Sequence, residues 1–174
     1  MSSIPYDLSK IKAFTFDVDG VLSPSVIPMS TTGEPLRMVS IKDGFVLQLA
    51  SRLGYRMAIF TGGKTDAVRI RFETLGIKNI YLGAAHKLPL LKKWMAEQKL
   101  SPEEVIYVGD DIPDIPCLRY VGLPCAPADA APEVIDTALY ISRFNGGYGV
   151  ARDIVEQVLK SQNNWLKDQE AFGW

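Results

Sequence analysis

The sequence has little cysteine, almost no net charge and no long apolar run, and each absence excludes a class of protein. Its two cysteines, Cys117 and Cys125, lack CxxC spacing, so we expect reduced core thiols and no disulfide. A formal net charge of -1 gives no general attraction for nucleic acid or anionic membranes. No apolar run reaches the roughly 18 residues of a bilayer span, and no basic-then-apolar leader is present. We therefore expect a cytoplasmic protein that binds neither nucleic acid nor membrane.

What the sequence does contain is an alternation of two kinds of segment. Short, β-rich apolar runs are separated by segments in which apolar residues recur with helical period. The runs are KAFTFD, YRMAIFT, NIYLG, VIYVGD, VGLPCAP and ALYIS, and the helical segments are 44–53, 64–75, 87–98 and 150–159. This alternation predicts parallel βαβ units, and hence an α/β fold with a doubly wound sheet and helices on both faces.

One region interrupts the alternation. Residues 21–39 contain three prolines and a TTGE turn, which predict a small β-hairpin excursion. We find no internal repeat, low-complexity tract or linker, and 174 residues fit one domain, so we expect a single domain over residues 1–174.

Four of the predicted strands lead into residues that are suited to chemistry. The first ends in Asp17-Val18-Asp19-Gly20, and YRMAIF ends in Thr61-Gly62-Gly63-Lys64. NIYLG leads to Lys87, and VIYVG ends in Asp110-Asp111-Ile112-Pro113-Asp114. Because open α/β sheets bind ligands beyond the carboxyl ends of their strands, these residues are expected at one rim.

The predicted rim has the ligands for a metal ion and a phosphate group. Clustered carboxylates favour a hard cation such as Mg²⁺, which is commonly held by one or two carboxylates and substrate phosphate. Thr61 offers a hydroxyl, and the glycines after it offer backbone N–H donors for phosphate oxygens. Lys87 adds a point positive charge for the same group.

The two acidic residues of the first strand suggest a division of roles. Like charges one residue apart are unfavourable unless a cation or a shared proton offsets them. Asp17 is suited to accept a phosphoryl group as an aspartyl phosphate. Asp19 is suited to protonate the leaving oxygen and then to activate water.

Four motifs carry a resemblance to a known family. DVDG, TGG, Lys87 and GDDIPD, in this order, resemble the motifs of the haloacid dehalogenase (HAD) phosphatases. FDVDGVLS, GEPLRMVSIKDG, VGDDIPDIPCL and GGYGVARD further resemble the phosphatases of 3-deoxy-D-manno-octulosonate (KDO) 8-phosphate, which act on the route to lipopolysaccharide. The resemblance implies a Rossmann-like HAD fold without a cap domain and a Mg²⁺-dependent phosphatase that acts on a small phosphosugar acid.

The resemblance also implies individual roles. It makes Asp17 the nucleophile and Asp19 the general acid/base, with Thr61 and Lys87 binding the phosphoryl group. The implied Mg²⁺ ligands are Asp17, the backbone carbonyl of Asp19, and Asp110, supported by Asp111 and Asp114. The implied substrate-binding residues are Ser40, Ile41, Lys42, Asp43, Gly44, Gln48, Gly62, Gly63, Lys64 and Arg71.

Two positions depart from the family pattern. The family's sugar phosphatases commonly carry an arginine where this chain has Gly63, and often another where it has Gln48. Both changes remove cations that would meet a substrate carboxylate, and Lys64, Lys42 or Arg71 are candidate replacements. Phosphatases of nonulosonate 9-phosphates, including those of KDN and N-acetylneuraminate, or of other small phosphosugars therefore remain alternatives.

The resemblance further implies a homotetramer in which a neighbouring subunit covers each site. We expect the tail, residues 162–174, to lie at a subunit interface. Outside enzymes, the alternatives are a phosphosugar-binding protein or a receiver-like regulatory domain. A receiver carries its acidic pair on the first strand and its phosphoacceptor alone on a middle strand, an order that differs from the one here.

Simpler interpretations apply to single residues. Asp110 and Asp111 are also typical of a helix start, and Lys87 is also compatible with a solvated helix lysine. His86 is expected to be a bystander, because the carboxylate pair already supplies proton transfer. We expect Gly146, Gly147 and Gly149 to have a structural or interface role.

Overall fold

Six parallel strands form one sheet in the computed structural model, which describes residues 2–167 and 172–173. The strands are β1 (Ala13–Phe16), β2 (Arg56–Phe60), β3 (Asn79–Tyr81), β4 (Val105–Val108), β5 (Leu123–Ala126) and β6 (Tyr140–Ile141). Their order is β3-β2-β1-β4-β5-β6, and β1 pairs in parallel with both β2 and β4. The strand order therefore reverses beside β1, where doubly wound sheets bind their ligands.

The helices follow the predicted segments, with two additions. They are α1 (Ile41–Arg52), α2 (Asp66–Glu73), α3 (Lys87–Glu97), α4 (Ile115–Leu118), α5 (Pro132–Thr137) and α6 (Val150–Ser161). Short 3-10 helices precede β1, β4 and α4, at Leu8–Lys10, Pro102–Glu104 and Ile112–Asp114. In the described part of the chain, no helix has both the length and the apolar character of a membrane span.

Helices cover both faces of the sheet, and the predicted fold class is confirmed. Phe14 and Phe16 pack on one face with apolar residues of α1, α2 and α6. Phe60 and Tyr107 pack on the other face with residues of α3, α4 and α5. Strands that are buried on both sides read as continuous apolar runs, which is why the sequence identified them. Cys117 and Cys125 are free and buried.

The start of α1 differs from the prediction. The periodic segment began at Gly44, but the helix begins at Ile41, and the hydroxyl of Ser40 accepts a hydrogen bond from the backbone N–H of Asp43. Ile41 and Lys42 are exposed, so the first turn adds nothing to the apolar pattern. A side-chain cap set this boundary.

The excursion at residues 21–39 forms a smaller hairpin than predicted. One isolated antiparallel bridge joins Met29 and Pro35, and Leu36 N–H donates to the carbonyl of Pro28. The turn is closed by Gly33 N–H, which donates to the carbonyl of Ser30. Proline has no N–H to donate, which explains why the ladder extends no further.

Candidate active site

Asp17 lies at the centre of the rim, directly after β1. Its backbone N–H donates to the carbonyl of Val108 (3.0 Å), which extends the pairing with β4 by one residue. One carboxylate oxygen accepts the N–H of Val18 (2.7 Å), and the other lies 2.8 Å from Lys87 Nζ. Burial and then the charge of Asp114 raise the pKa of Asp17 to about 7. The pKa rises because burial favours the neutral acid.

Lys87 begins α3 and reaches across to two carboxylates. Its ammonium group lies 2.8 Å from Asp17 Oδ2 and 2.7 Å from Asp114 Oδ1, and the side chain is 5% exposed. Burial lowers the pKa of Lys87, but the two carboxylates outweigh it and the net shift is upward. An ammonium has three N–H donors, so one is left for a third acceptor such as a phosphoryl oxygen.

Asp114 organises the site from beneath. Its Oδ1 accepts hydrogen bonds from Lys87 and from the hydroxyl of Tyr107 (2.8 Å), and its Oδ2 accepts the backbone N–H groups of Asp110 (3.1 Å) and Asp111 (3.4 Å). Burial and then the charge of Asp114 raise the pKa of Tyr107 well above its usual value. Tyr107 therefore stays a donor, and sequence reasoning missed it because it lies inside an apolar strand.

The carboxylates fit a divalent cation. Ligand oxygens of Asp17, Asp110 and Asp114 lie within 4.8 Å of one another. Asp110 Oδ1 is buried and makes no hydrogen bond with the described residues. Burial and then the charge of Asp17 raise the pKa of Asp110 to about 8. Since four donors already occupy Asp114, Asp17 and Asp110 are the side chains left for Mg²⁺, which prefers carboxylate oxygens.

Gly20 permits Asp110 to approach the DVDG turn. Its φ is +83°, a conformation that L side chains rarely adopt. A Cβ at this position would also overlap the carboxylate of Asp110. Both the turn and the metal ligand therefore require glycine.

Asp19 makes a contact that the sequence did not indicate. Both of its oxygens accept hydrogen bonds from Arg37, one from Nε and one from Nη2, each at 2.8 Å. The Arg37 side chain is 12% exposed and that of Asp19 is 39% exposed. Arg37 comes from the excursion, within the GEPLRMVSIKDG segment, but no spacing rule connects it to Asp19.

The segment after β2 forms a tight turn beside Asp19. Thr61 is fully buried, its backbone N–H donates to the carbonyl of Tyr81, and its hydroxyl accepts the N–H of Gly63 (3.1 Å). Gly62 is exposed, with open space where a Cβ would stand. The aliphatic part of Lys64 runs beside Gly83.

A cleft of about 360 Å³ joins these elements. This volume lies in the range of small-molecule sites. The predicted site residues that line the cleft are Asp17, Asp19, Gly62, Lys87, Asp110, Asp111 and Asp114. A buried carboxylate beside a lysine, a cation site and a second carboxylate are together suited to phosphoryl transfer.

Several predicted substrate-binding residues lie elsewhere in the described chain. Ser40, Asp43, Gly44 and Arg71 line a separate cavity of about 10 Å³. Two guanidinium nitrogens of Arg71, Nε and Nη2, are buried without a hydrogen-bond partner there. Lys42 lines a larger open groove with Arg143, Arg152 and Lys160, while Ile41 is exposed and Gln48 is half-buried on α1. Their role in substrate binding stays a prediction.

Comparison with known proteins identifies the family. Residues 46–154 match the haloacid dehalogenase-like hydrolases. The 3-deoxy-D-manno-octulosonate 8-phosphate phosphatase KdsC of Escherichia coli K12 is 39% identical over 152 residues, covering 87% of this chain and 81% of that protein. KdsC of Yersinia pestis is 35% identical over 155 residues, covering 89% of this chain and 83% of that protein.

Solved structures agree with the sequence match. The Moraxella catarrhalis 3-deoxy-D-manno-octulosonate 8-phosphate phosphatase, in complex with magnesium, phosphate and KDO, has a TM-score of 0.86 and 32% identity, covering 91% of each chain. The cobalt-bound Haemophilus influenzae phosphatase YrbI has a TM-score of 0.88 and 27% identity, covering 95% of this chain and 98% of that chain. The chain therefore belongs to the haloacid dehalogenase-like hydrolases and, within them, to the family of the 3-deoxy-D-manno-octulosonate 8-phosphate phosphatases.

Proposed function

We propose that this protein is a Mg²⁺-dependent phosphatase that hydrolyses KDO 8-phosphate to KDO and inorganic phosphate in lipopolysaccharide biosynthesis. The observation that carries the proposal is the environment of Asp17, a buried carboxylate beside Lys87 and beside an unpartnered oxygen of Asp110. The KDO 8-phosphate phosphatases to which the chain is similar supply the substrate class.

In the first half-reaction, a carboxylate oxygen of Asp17 attacks phosphorus while the bond from phosphorus to the sugar oxygen breaks. This step gives an aspartyl phosphate, and Asp19 transfers its proton to the leaving sugar oxygen. The remaining N–H of Lys87, the hydroxyl hydrogen of Thr61 and the backbone N–H of Gly62 bind the phosphoryl oxygens. Mg²⁺ held by Asp17, Asp110 and the carbonyl of Asp19 supplies positive charge that offsets the carboxylates and the phosphoryl group.

In the second half-reaction, the roles reverse. Asp19, now a carboxylate, takes a proton from water as the water oxygen attacks phosphorus. The bond between phosphorus and the Asp17 oxygen breaks, which releases inorganic phosphate and restores the nucleophile. Asp114 holds Lys87 in place throughout, because its 2.7 Å contact with Nζ fixes the ammonium group beside Asp17.

We further propose a single-domain, cytoplasmic homotetramer in which a neighbouring subunit covers the cleft. Large apolar side chains are exposed on the excursion, among them Val26, Met29 and Leu36. Such a patch is typical of an interaction surface. Light scattering after size-exclusion chromatography tests this assembly, and a monomer would contradict it.

The tail prediction falls partly outside the described residues, since 168–171 and 174 are not among them. Trp165 lies against Arg152 of its own chain, with the guanidinium carbon 4.8 Å from the ring centroid. An interface role is therefore proposed for the part of the tail that follows Trp165. Truncation after that residue should weaken assembly or raise KM.

A phosphate-release panel with Mg²⁺ tests the activity. It contains KDO 8-phosphate, the 9-phosphates of KDN and N-acetylneuraminate, hexose phosphates and nucleotides. We expect a preference of at least ~100-fold for KDO 8-phosphate, since sites built around polar groups reject analogues strongly. EDTA should abolish turnover and Mg²⁺ restore it, and Asp17→Asn should be inactive but folded. A nonulosonate 9-phosphate as best substrate would select the second candidate, which Gly63 and Gln48 keep open.

A further inference from the structure

We propose that Arg37 binds the carboxylate of the sugar acid and that this carboxylate displaces Asp19 from Arg37. The two residues pair with each other, and an acidic substrate would exchange one carboxylate for another. Arg37 would then be a specificity-determining residue that lies outside the sheet. The inference rests on the proposed phosphatase function and names the residue that selects its substrate.

Arg37 and Asp19 form an ion pair with two parallel hydrogen bonds. Nε and Nη2 of Arg37 each donate to a different oxygen of Asp19 at 2.8 Å, the parallel two-bond arrangement that guanidinium groups make with carboxylates. Each oxygen of Asp19 thus accepts one donor of the guanidinium group and keeps a second lone pair. Proton transfer through Asp19 changes its charge and weakens this charge-assisted contact, so catalysis is favoured when Arg37 has another acceptor.

The guanidinium group of Arg37 lies beside Gly63, in the turn after β2. Its Nη2 lies 2.5 Å from the point that a Cβ on Gly63 would occupy, and Thr61 Oγ1 lies 3.3 Å from that point. Any side chain at position 63 would thus push against the guanidinium group. Because Gly63 has no side chain, the guanidinium group of Arg37 can lie against the turn after β2. The turn itself contains no arginine.

Among the described residues, Arg37 is the cation that forms an ion pair with Asp19. Lys87 lies between two carboxylates, and the aliphatic part of Lys64 runs beside Gly83. Arg71 lines a cavity of about 410 Å³ together with Arg37, and Lys42 lines a groove on another side, but the carboxylate of Asp19 pairs with Arg37. Arg37 is therefore the arginine of the described residues that the structure brings to the acid/base group.

The exchange explains how selectivity arises. A ligand shifts an equilibrium only by its differential affinity for the two states. The carboxylate of a sugar acid accepts both hydrogen bonds that Arg37 gives up, so such a substrate separates Arg37 from Asp19 at little cost in binding free energy. A phosphate ester without a carboxylate offers no such replacement and meets an Asp19 that is still paired.

The test compares two substrates in three variants. Arg37→Ala and Arg37→Lys are assayed with Mg²⁺ on KDO 8-phosphate and on glucose 6-phosphate, which has no carboxylate but has the same kind of leaving group, a sugar alcohol. The matched control is Arg56→Ala, an exposed arginine at the amino end of β2, the opposite edge of the sheet. Thermal unfolding checks that each variant folds, and Arg37→Gln replaces Arg37→Ala if the latter does not.

We expect Arg37→Ala to lower kcat/KM for KDO 8-phosphate by about 100-fold, mainly through KM, as expected when one partner of a close charge pair is removed. Turnover of glucose 6-phosphate should stay within a few-fold of wild type or rise. Arg37→Lys should recover only part of the loss, because an ammonium does not form the two-bond contact.

The outcomes separate the two proposals. An equal fall on both substrates would mean that Arg37 only positions Asp19, and no fall on either would also overturn the inference. If wild-type protein prefers a different sugar acid phosphate, the proposed substrate fails and the same ratio is measured with that compound. If it prefers an ester without a carboxylate, both proposals fail.

Discussion

Raising the pH without a divalent cation is expected to destabilise this protein. Burial and nearby carboxylates raise the pKa of Asp17 to about 7 and that of Asp110 to about 8, against 3.8 for both groups in an exposed setting. Between those values the folded chain binds more protons than the unfolded chain. The contribution of these two groups to the free energy of unfolding is therefore fully present below about pH 4. It is lost progressively as the pH rises to their folded-state pKa values of about 7 and 8.

The size of the effect follows from the same shifts. Each pH unit within this range lowers the free energy of unfolding by about 1.4 kcal/mol per proton. Ionisation of Asp17 therefore lowers it by roughly 2 kcal/mol between about pH 5.5 and the pKa of Asp17. Asp110 is partly exposed and adds less than its pKa alone implies, because solvent screens its charge. A total of about 3 kcal/mol corresponds to a fall in Tm of roughly 6–12 °C for a chain of this length.

Thermal unfolding in EDTA across this pH range measures the effect. Asp17→Asn is the matched control, because a neutral amide removes one titrating group; its Tm should fall less and exceed that of wild type at high pH. Mg²⁺ at about 100 times its Kd should return about 2.7 kcal/mol, since it binds the ionised carboxylates of the folded state. A wild-type Tm that stays flat or rises in EDTA would refute the reasoning.

Three substitutions test other parts of the site. Asp19→Asn should lower kcat by ~10²–10⁴-fold in phosphate-release assays with little change in Tm, because it removes the proton-transfer group; near-normal turnover would contradict its role. Lys87→Met should cost about 3–5 kcal/mol in urea unfolding at pH 8 with EDTA, because it leaves two carboxylates buried without their cation, and less at lower pH. Gly146→Ala places a Cβ against the carbonyl oxygen of Gly20, so it should lower the free energy of unfolding by about 1–3 kcal/mol and shift the DVDG turn, which lowers kcat. Unchanged kinetics would contradict the link between this contact and the turn.

The fold was largely predictable because its strands are buried on both faces. All four residues of β1 and of β4 are buried, and such strands produce apolar runs that stand out from amphipathic helices. The helices α4 and α5 have four and six residues, too few for a helical period to be visible. Strand order was also not predictable from these runs, because a periodic pattern carries no information about which strands pair.

The site was predictable where chemistry follows a strand directly. Asp17 and Asp110 each come one or two residues after a strand, so parallel topology alone brings them to one edge. Arg37 lies in an irregular segment whose path depends on prolines and two isolated bridges, and its contact with Asp19 follows from that path. Tyr107 was hidden for the opposite reason, since its ring packs in the core while only its hydroxyl reaches Asp114.

The proposed role of Arg37 places substrate selection on the excursion, outside the sheet that carries the nucleophile. A bridge between Met29 and Pro35 shapes the outer part of this stretch, and a bridge between Asp19 and Ser23 ties its first residues to the DVDG turn. The nucleophile directly follows β1, which is paired with β2 and β4 along its whole length. Val21 and Leu22 belong to the core that packs on β1, but residues 25–39 are exposed or half-buried. Changes confined to that outer part would move the guanidinium group and leave the packing on β1 in place. Exchange of this one stretch between relatives is thus a direct route to new acid substrates on an unchanged catalytic frame.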